Sequence, residues 1–187
     1  VINVLEGYVP EKDIQALEKH VVNNTKFPWF YEPCTTSPRF PAMMHILVGR
    51  YDKPPLDRFI INSPYFGLFE KIFLEFCFKN KITVKRILRA AVNLTWFSSE
   101  KHGDPHTDHE QDINPNHKVC MMYLHDLEWG PTFLFNEKEK GLDNYTIAKE
   151  ISFERGKIAI FPGEYCHAAG FVKNSNEVRV AAIISFE

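Results

Sequence analysis

The spacing of apolar residues changes part-way along the chain. Between residues 10 and 23, Ile14, Leu17, Val21 and Val22 recur at intervals of three and four. That is the period of a helix with one buried face. Pro10 suits its first turn, where a missing N–H costs nothing, and Glu11 and Asp13 fall at the positive end of the helix dipole. Residues 25–42 hold four prolines and predict no long regular element. Met43–Val48 reads as a short strand and Asp52–Leu56 as a proline-containing turn. Ser63-Pro64 predicts a helix start, with Ser63 as the cap and Pro64 in the first position, and the helix runs to about Lys79.

Beyond residue 81 the texture is that of strands. Ile82–Phe97, Lys118–Leu127, Thr132–Phe135, Thr146–Phe153, Lys157–Phe161 and Val178–Phe186 are strand-like and separated by polar or Gly/Pro-bearing loops. Such a series predicts a sandwich or barrel. Helices first and strands afterwards predict a mainly β domain buttressed on one face by N-terminal helices.

Composition adds limits. With 187 residues the chain is expected to be one domain, long enough to bury a sizeable core. No apolar run approaches the roughly 18 residues of a membrane span. The most apolar stretch, YFGLFEKIFLEFCF, carries Glu70, Lys71 and Glu75. Lys plus Arg is 22 against 24 Asp plus Glu, a net charge of −2. That balance lacks the basic excess of a phosphate-reading protein, so neither nucleic acid nor membrane is an expected partner. Lys79–Arg89 reads as the solvated end of a helix leading into a strand. Four cysteines without regular spacing make no disulfide framework, and reduced thiols predict a cytoplasmic location. The chain opens with Val1 and shows no basic-then-apolar leader pattern. The 16 Phe predict a phenylalanine-rich interior.

The densest chemistry lies in residues 102–109, HGDPHTDH, which hold three of the eight His. About one H-x-[D/E] is expected by chance at this composition; the segment has two, His102-Gly-Asp104 and His106-Thr-Asp108. In extended chain, residues i and i+2 point the same way, so each pair can reach one divalent ion. Pro105 favours extended backbone around the second pair. A third ligand must come from elsewhere; His167, just after the apolar run ending at Pro162-Gly163, reads either as pointing into a barrel mouth or as an ordinary hydrogen-bonded histidine. On the last strand, Arg179 shares a face with Ala181 and Ile183. An arginine there either reaches water at a sheet end or awaits an anion, and a carboxylate suits its fork.

The order H-x-D, His, Arg resembles the 2-oxoglutarate/Fe(II)-dependent oxygenase superfamily, within it the prolyl-4-hydroxylase-like branch. The resemblance covers residues 82–187 and rests on His106-Thr-Asp108, KVCMMYLHDLEWGPTFLF, RGKIAIFPGEYCHAAG and Arg179, 12 residues beyond His167. It implies a double-stranded β-helix (jelly-roll) core at 82–187, supported by 1–81, as a single domain. It implies Fe(II) on His106, Asp108 and His167, the catalytic set, with 2-oxoglutarate anchored by Arg179 and assisted by Tyr123. Thr132 and Asn93 or Trp96 would line that pocket, and Glu164 or Glu110 would orient the histidines. The implied reaction hydroxylates a peptidyl-prolyl or amino-acid-like substrate with O2, releasing succinate and CO2, with ascorbate as a candidate reductant. The sequence departs from the family pattern at Trp129-Gly130-Pro131-Thr132 and at His125. A small metabolite or nucleobase as substrate, and a cupin-like metal-binding module without turnover, stand as alternatives. Trp29, Tyr31 and Tyr65 read as packed aromatics or as the wall of a groove.

Overall fold

The computed structural model describes residues 2–49, 60–109 and 114–187; the turn expected at Asp52–Leu56 and Glu110 lie outside them. Among the described residues, ten strands form two antiparallel sheets. They are β1 (Leu5–Tyr8), β2 (Phe30–Glu32), β3 (Ala42–Val48), β4 (Ile87–Trp96), β5 (Lys118–Tyr123), β6 (Thr132–Phe135), β7 (Ile147–Ile151), β8 (Lys157–Pro162), β9 (His167–Ala169) and β10 (Val178–Phe186). The larger sheet has the order β1-β8-β5-β10-β4-β3-β2 and the smaller β7-β6-β9.

Strand alternation divides the side chains between two cores. Val119, Met121, Tyr123, Ala159, Phe161 and Ala181 point between the sheets, where they meet Leu134 and Ile151. Their neighbours Cys120, Met122, Ile158, Ile160, Val180, Ala182 and Ile184 point out of the other face, against the helices. This is the jelly roll that the strand pattern and the resemblance imply.

The helices cover the outer face. Helix α2 (Phe66–Lys79) buries Phe66, Phe69, Ile72, Phe73 and Cys77, a single stripe of three- and four-residue steps. Burying each large side chain stabilises the fold by roughly 1.5–3 kcal/mol. The helix begins two residues later than the Ser63-Pro64 signal indicates. Tyr65, not Ser63, is the N-cap; the Ser63 Oγ accepts the N–H of Tyr65 at 3.2 Å in the turn ahead of the helix and is shared with His45 Nε2 at 2.7 Å. It ends in a Schellman turn: Ile82 N–H donates to Cys77 O at 2.9 Å and Lys81 N–H to Phe78 O at 3.1 Å, with Lys81 at φ 57°. The first helix, α1 (Glu11–Leu17), follows Pro10 and continues as π-helical turns over Glu18–Val22.

Three strands lie outside the pattern read from the sequence. β1 and β2 are edge strands of four and three residues with half their side chains in water, so they carry little apolar signal. β9 is three residues long and begins at His167 itself. Strands β1, β2 and β3 belong to the larger sheet, so residues 1–81 supply sheet as well as helices.

Candidate functional site

The loop after β4 runs back across the smaller sheet and is fixed there by backbone pairing. His106 N–H donates to His167 O at 3.1 Å, and His167 N–H returns to His106 O at 2.8 Å. This antiparallel bridge makes His106 and His167 direct cross-strand neighbours, with ring centroids 4.7 Å apart. Asp108, two residues on, joins them: its Oδ2 is 3.9 Å from His167 Nε2. One donor atom from each of His106, Asp108 and His167 lies within 4.8 Å of the others.

The environment readies these groups as ligands. His106 Nδ1 donates to Asp104 O at 3.0 Å and His167 Nδ1 to Tyr165 O at 3.4 Å. Carbonyl oxygens only accept, so both Nδ1 atoms carry the proton and both Nε2 lone pairs are left for a cation. Burial pushes His106 down to about 4, reinforced by the neighbouring His167, and burial also lowers His167. Both imidazoles are therefore neutral at pH 7, the form that ligates metal. Backbone carbonyls orient the two rings. Glu164, a candidate for that task, is instead paired with Lys138 at 2.8 Å.

Asp108 is held from two sides. Ser185 Oγ donates to its Oδ2 at 3.0 Å, and Arg89 Nη1 lies 3.7 Å from its Oδ1. Two imidazoles and one carboxylate on one side of an ion, with the other side facing a cavity, suit a non-haem Fe(II) with open positions. They do not make the closed Cys/His set of structural zinc.

A second cluster lies along β10. Arg179 is 1% exposed. Its Nε donates to Gly130 O at 2.8 Å and its Nη2 to Thr132 Oγ1 at 2.9 Å. Tyr123 OH donates to the same Thr132 oxygen at 2.7 Å, and the guanidinium lies over the Tyr123 and Phe153 rings. No carboxylate pairs with Arg179 among the described residues. Burial pulls its pKa below the usual arginine value, the mark of a charge that lost its water without gaining an anion. This cluster fits an incoming carboxylate.

A cavity of about 510 Å³ opens beside His106 and Asp108, lined also by Arg89, Asn93, Thr95 and Ile183 among others. Asn93 and Thr95 connect it to the arginine cluster, since Thr95 stands opposite Arg179 and Asn93 opposite Ala181 in the β4–β10 register. Asn93 Oδ1 and Thr95 Oγ1 are buried without a hydrogen-bond partner. Of the two residues offered for this wall, Asn93 faces the cavity; Trp96 lines a separate hollow beside Arg39 and Phe40.

The other H-x-D pair is kept apart. His102 packs on Phe133 and Phe135, and Asp104 faces Arg39 at 3.6 Å. His125 accepts the Val180 N–H at 3.1 Å. Trp29 and Tyr65 pack against the outer core, while Tyr31 is 62% exposed. Arg89, in the strand part of the Lys79–Arg89 segment, points into the cavity on the same parity as Asn93 and Thr95. That parity was its signal. Ser185 gave none, being a small residue in an apolar strand.

No protein-family model matches the chain, and no curated protein matches it. Solved structures do. A 2OG-Fe(II) oxygenase family oxidoreductase from Burkholderia pseudomallei superposes with a TM-score of 0.69 at 11% identity, over 98% of this chain and 84% of that one. A Pseudomonas putida prolyl-4-hydroxylase gives 0.58 at 9% identity, over 100% and 93%. The epimerase SnoN of nogalamycin biosynthesis, solved with Fe3+, alpha ketoglutarate and nogalamycin RO, gives 0.61 at 9% identity, over 99% and 78%. At these identities the likeness is one of architecture: the chain has the double-stranded β-helix fold on which these oxygenases are built.

Proposed function

We propose that this protein is an Fe(II)- and 2-oxoglutarate-dependent dioxygenase that hydroxylates a peptidyl-prolyl or amino-acid-like substrate. The observation that carries the reading is the convergence of His106, Asp108 and His167 beside a cavity whose wall leads to the buried, anion-free Arg179. A metal-binding module has no use for that arginine.

His106 and His167 would hold the metal through Nε2 and Asp108 through one carboxylate oxygen. Bound together, the iron and 2-oxoglutarate supply O2 activation coupled to decarboxylation, giving succinate and CO2. The residues do the rest. Arg179 binds the distal carboxylate of the cosubstrate. Thr132 takes the hydrogen bonds of Tyr123 and Arg179, which leaves its own hydroxyl proton to point at the same anion. Asn93 presents its amide to the cavity. Phe161, packed beside His167 at 5.3 Å, and Phe153, over the guanidinium, exclude water from both ends. Around the opening, Glu32 and Asp104 together with Lys140 place both charge signs. That mixture supports an amino-acid-like group, which carries both.

The test is uncoupled turnover. Iron-loaded protein in air, with ascorbate and without a primary substrate, is expected to convert 2-oxoglutarate slowly to succinate. The His106→Ala and Arg179→Ala variants are expected not to. Absence of succinate from folded, iron-loaded protein would favour the cupin-like module.

A further inference from the structure

We infer that Ser185 is the positioning residue for the Asp108 carboxylate and that, with Arg89, it restricts that carboxylate to binding metal through one oxygen. The inference rests on reading the triad as a metal site.

Ser185 and Arg89 are direct partners in the β10–β4 register, so their side chains leave the sheet side by side on its inner face. The register slips immediately afterwards, between Ser185 and Phe186, which pairs with Ile87. A bulge of this kind re-aims the side chains next to it, and such bulges gather beside active sites. Here both members of the pair reach one carboxylate. Ser185 is wholly buried and donates to Oδ2 at 3.0 Å, while Arg89 stands 3.7 Å from Oδ1.

The chemistry follows from which oxygen does what. Oδ2 is the oxygen facing His167 Nε2, at 3.9 Å. The Ser185 hydroxyl occupies one side of that oxygen and sets the rotation of the carboxylate about its Cβ–Cγ bond. Arg89 draws Oδ1 away from the metal side. A carboxylate so pinned presents one oxygen, and the metal keeps the positions that a chelating cosubstrate and O2 need. Without the Ser185 hydroxyl the carboxylate loses the bond that fixes the rotation of Oδ2, and the ligand set is less preorganised. Losing such an outer hydrogen bond to a ligand typically costs about 10–100-fold in metal affinity.

The test uses Co(II) alone as the probe, titrated into metal-free protein and followed by its visible bands. Three proteins are compared with wild type: Ser185→Ala, Ser185→Cys, which preserves the volume but donates only weakly, and His106→Ala. Both Ser185 variants are expected to bind Co(II) about 10–100-fold more weakly, with altered bands at saturation. A residue that merely stabilised the fold would change the melting temperature and leave the saturated spectrum alone. Wild-type affinity and spectrum in folded Ser185 variants would overturn the positioning role. Wild-type binding by His106→Ala would overturn the metal reading itself, and the two failures are told apart in one experiment.

Discussion

An arginine with 1% of its surface exposed and no carboxylate beside it is a residue the fold carries at a cost. The account assigns the missing anion to 2-oxoglutarate. Arg179→Met keeps most of the packing volume and removes the charge. At a cosubstrate concentration about 100 times Kd, binding adds about 2.7 kcal/mol, which for a domain of this size raises the melting temperature by roughly 5–10 °C. Metal-loaded wild type is expected to show that rise and Arg179→Met to lose it. An equal rise in both would remove Arg179 from the site. The two H-x-D pairs separate in the same way. Asp108→Ala is expected to abolish metal binding, whereas Asp104→Ala costs only a half-exposed pair with Arg39 and leaves binding near wild type. Isothermal titration with Co(II) distinguishes them, and the reverse ranking would mean that the wrong pair was chosen. At this scale the sequence was legible where chemistry repeats at fixed spacing. His106, Asp108, His167 and Arg179 fall at positions that strand parity and motif order single out. Ser185 was not legible and Arg89 was legible only in its strand parity, because their pairing depends on a bulge and a cross-strand register that no local pattern encodes.

Elements formed where periodicity was long and ended where the backbone bond count required it. Helix α2 and strand β10 were both readable, the first from its stripe of Phe and Ile, the second from its unbroken apolar run. The short edge strands β1 and β2 were not, because they bury too few side chains to leave a pattern. The end of α2 carries a specific expectation. Lys81 adopts φ 57° in the position that glycine favours. Lys81→Gly relieves about 1 kcal/mol of left-handed strain, less the added freedom of glycine in the unfolded chain. A melting temperature a few degrees above wild type is expected, and a lower one would contradict the Schellman assignment. A second expectation concerns acid. Glu154 accepts from Lys157 Nζ at 2.6 Å, from Ser152 Oγ at 2.5 Å and from the Tyr8 hydroxyl, tying the turn before β8 to β1. These bonds pull its carboxyl from an ordinary 4.5 down to about 2. The folded value is the lower one, so the unfolded chain binds the extra proton as pH falls. The stability Glu154 contributes is present above about pH 4.5 and is lost as pH approaches 2. Comparing the melting temperatures of wild type and Glu154→Gln across this range checks it: the gap seen at pH 7 should close in acid, and a gap that persisted to pH 2 would contradict the assignment.

The whole molecule is a sandwich that uses its two faces for different work. The outer face of the larger sheet is sealed by α1 and α2, and the inner face meets the smaller sheet over the triad and the arginine. The architecture was legible as strands following helices, because alternation survives in every long strand. The role of the N-terminal region was not, since β3 joins the larger sheet beside β4, its partner from across the 38 residues between Val48 and Ile87. No helix among the described residues is long and apolar enough to cross a membrane, and the four cysteines are unpaired. On the inner face, the proposed metal position and the proposed anion position are joined by the wall of Asn93 and Thr95. That joint arrangement is the central claim, and one measurement addresses it most directly: anaerobic titration of Fe(II)-loaded protein with 2-oxoglutarate, followed by the weak visible charge-transfer band of a chelated cosubstrate. The account predicts a saturable band that disappears in Arg179→Ala while Fe(II) binding persists. Folded, iron-loaded protein that gave no band at any cosubstrate concentration would contradict it.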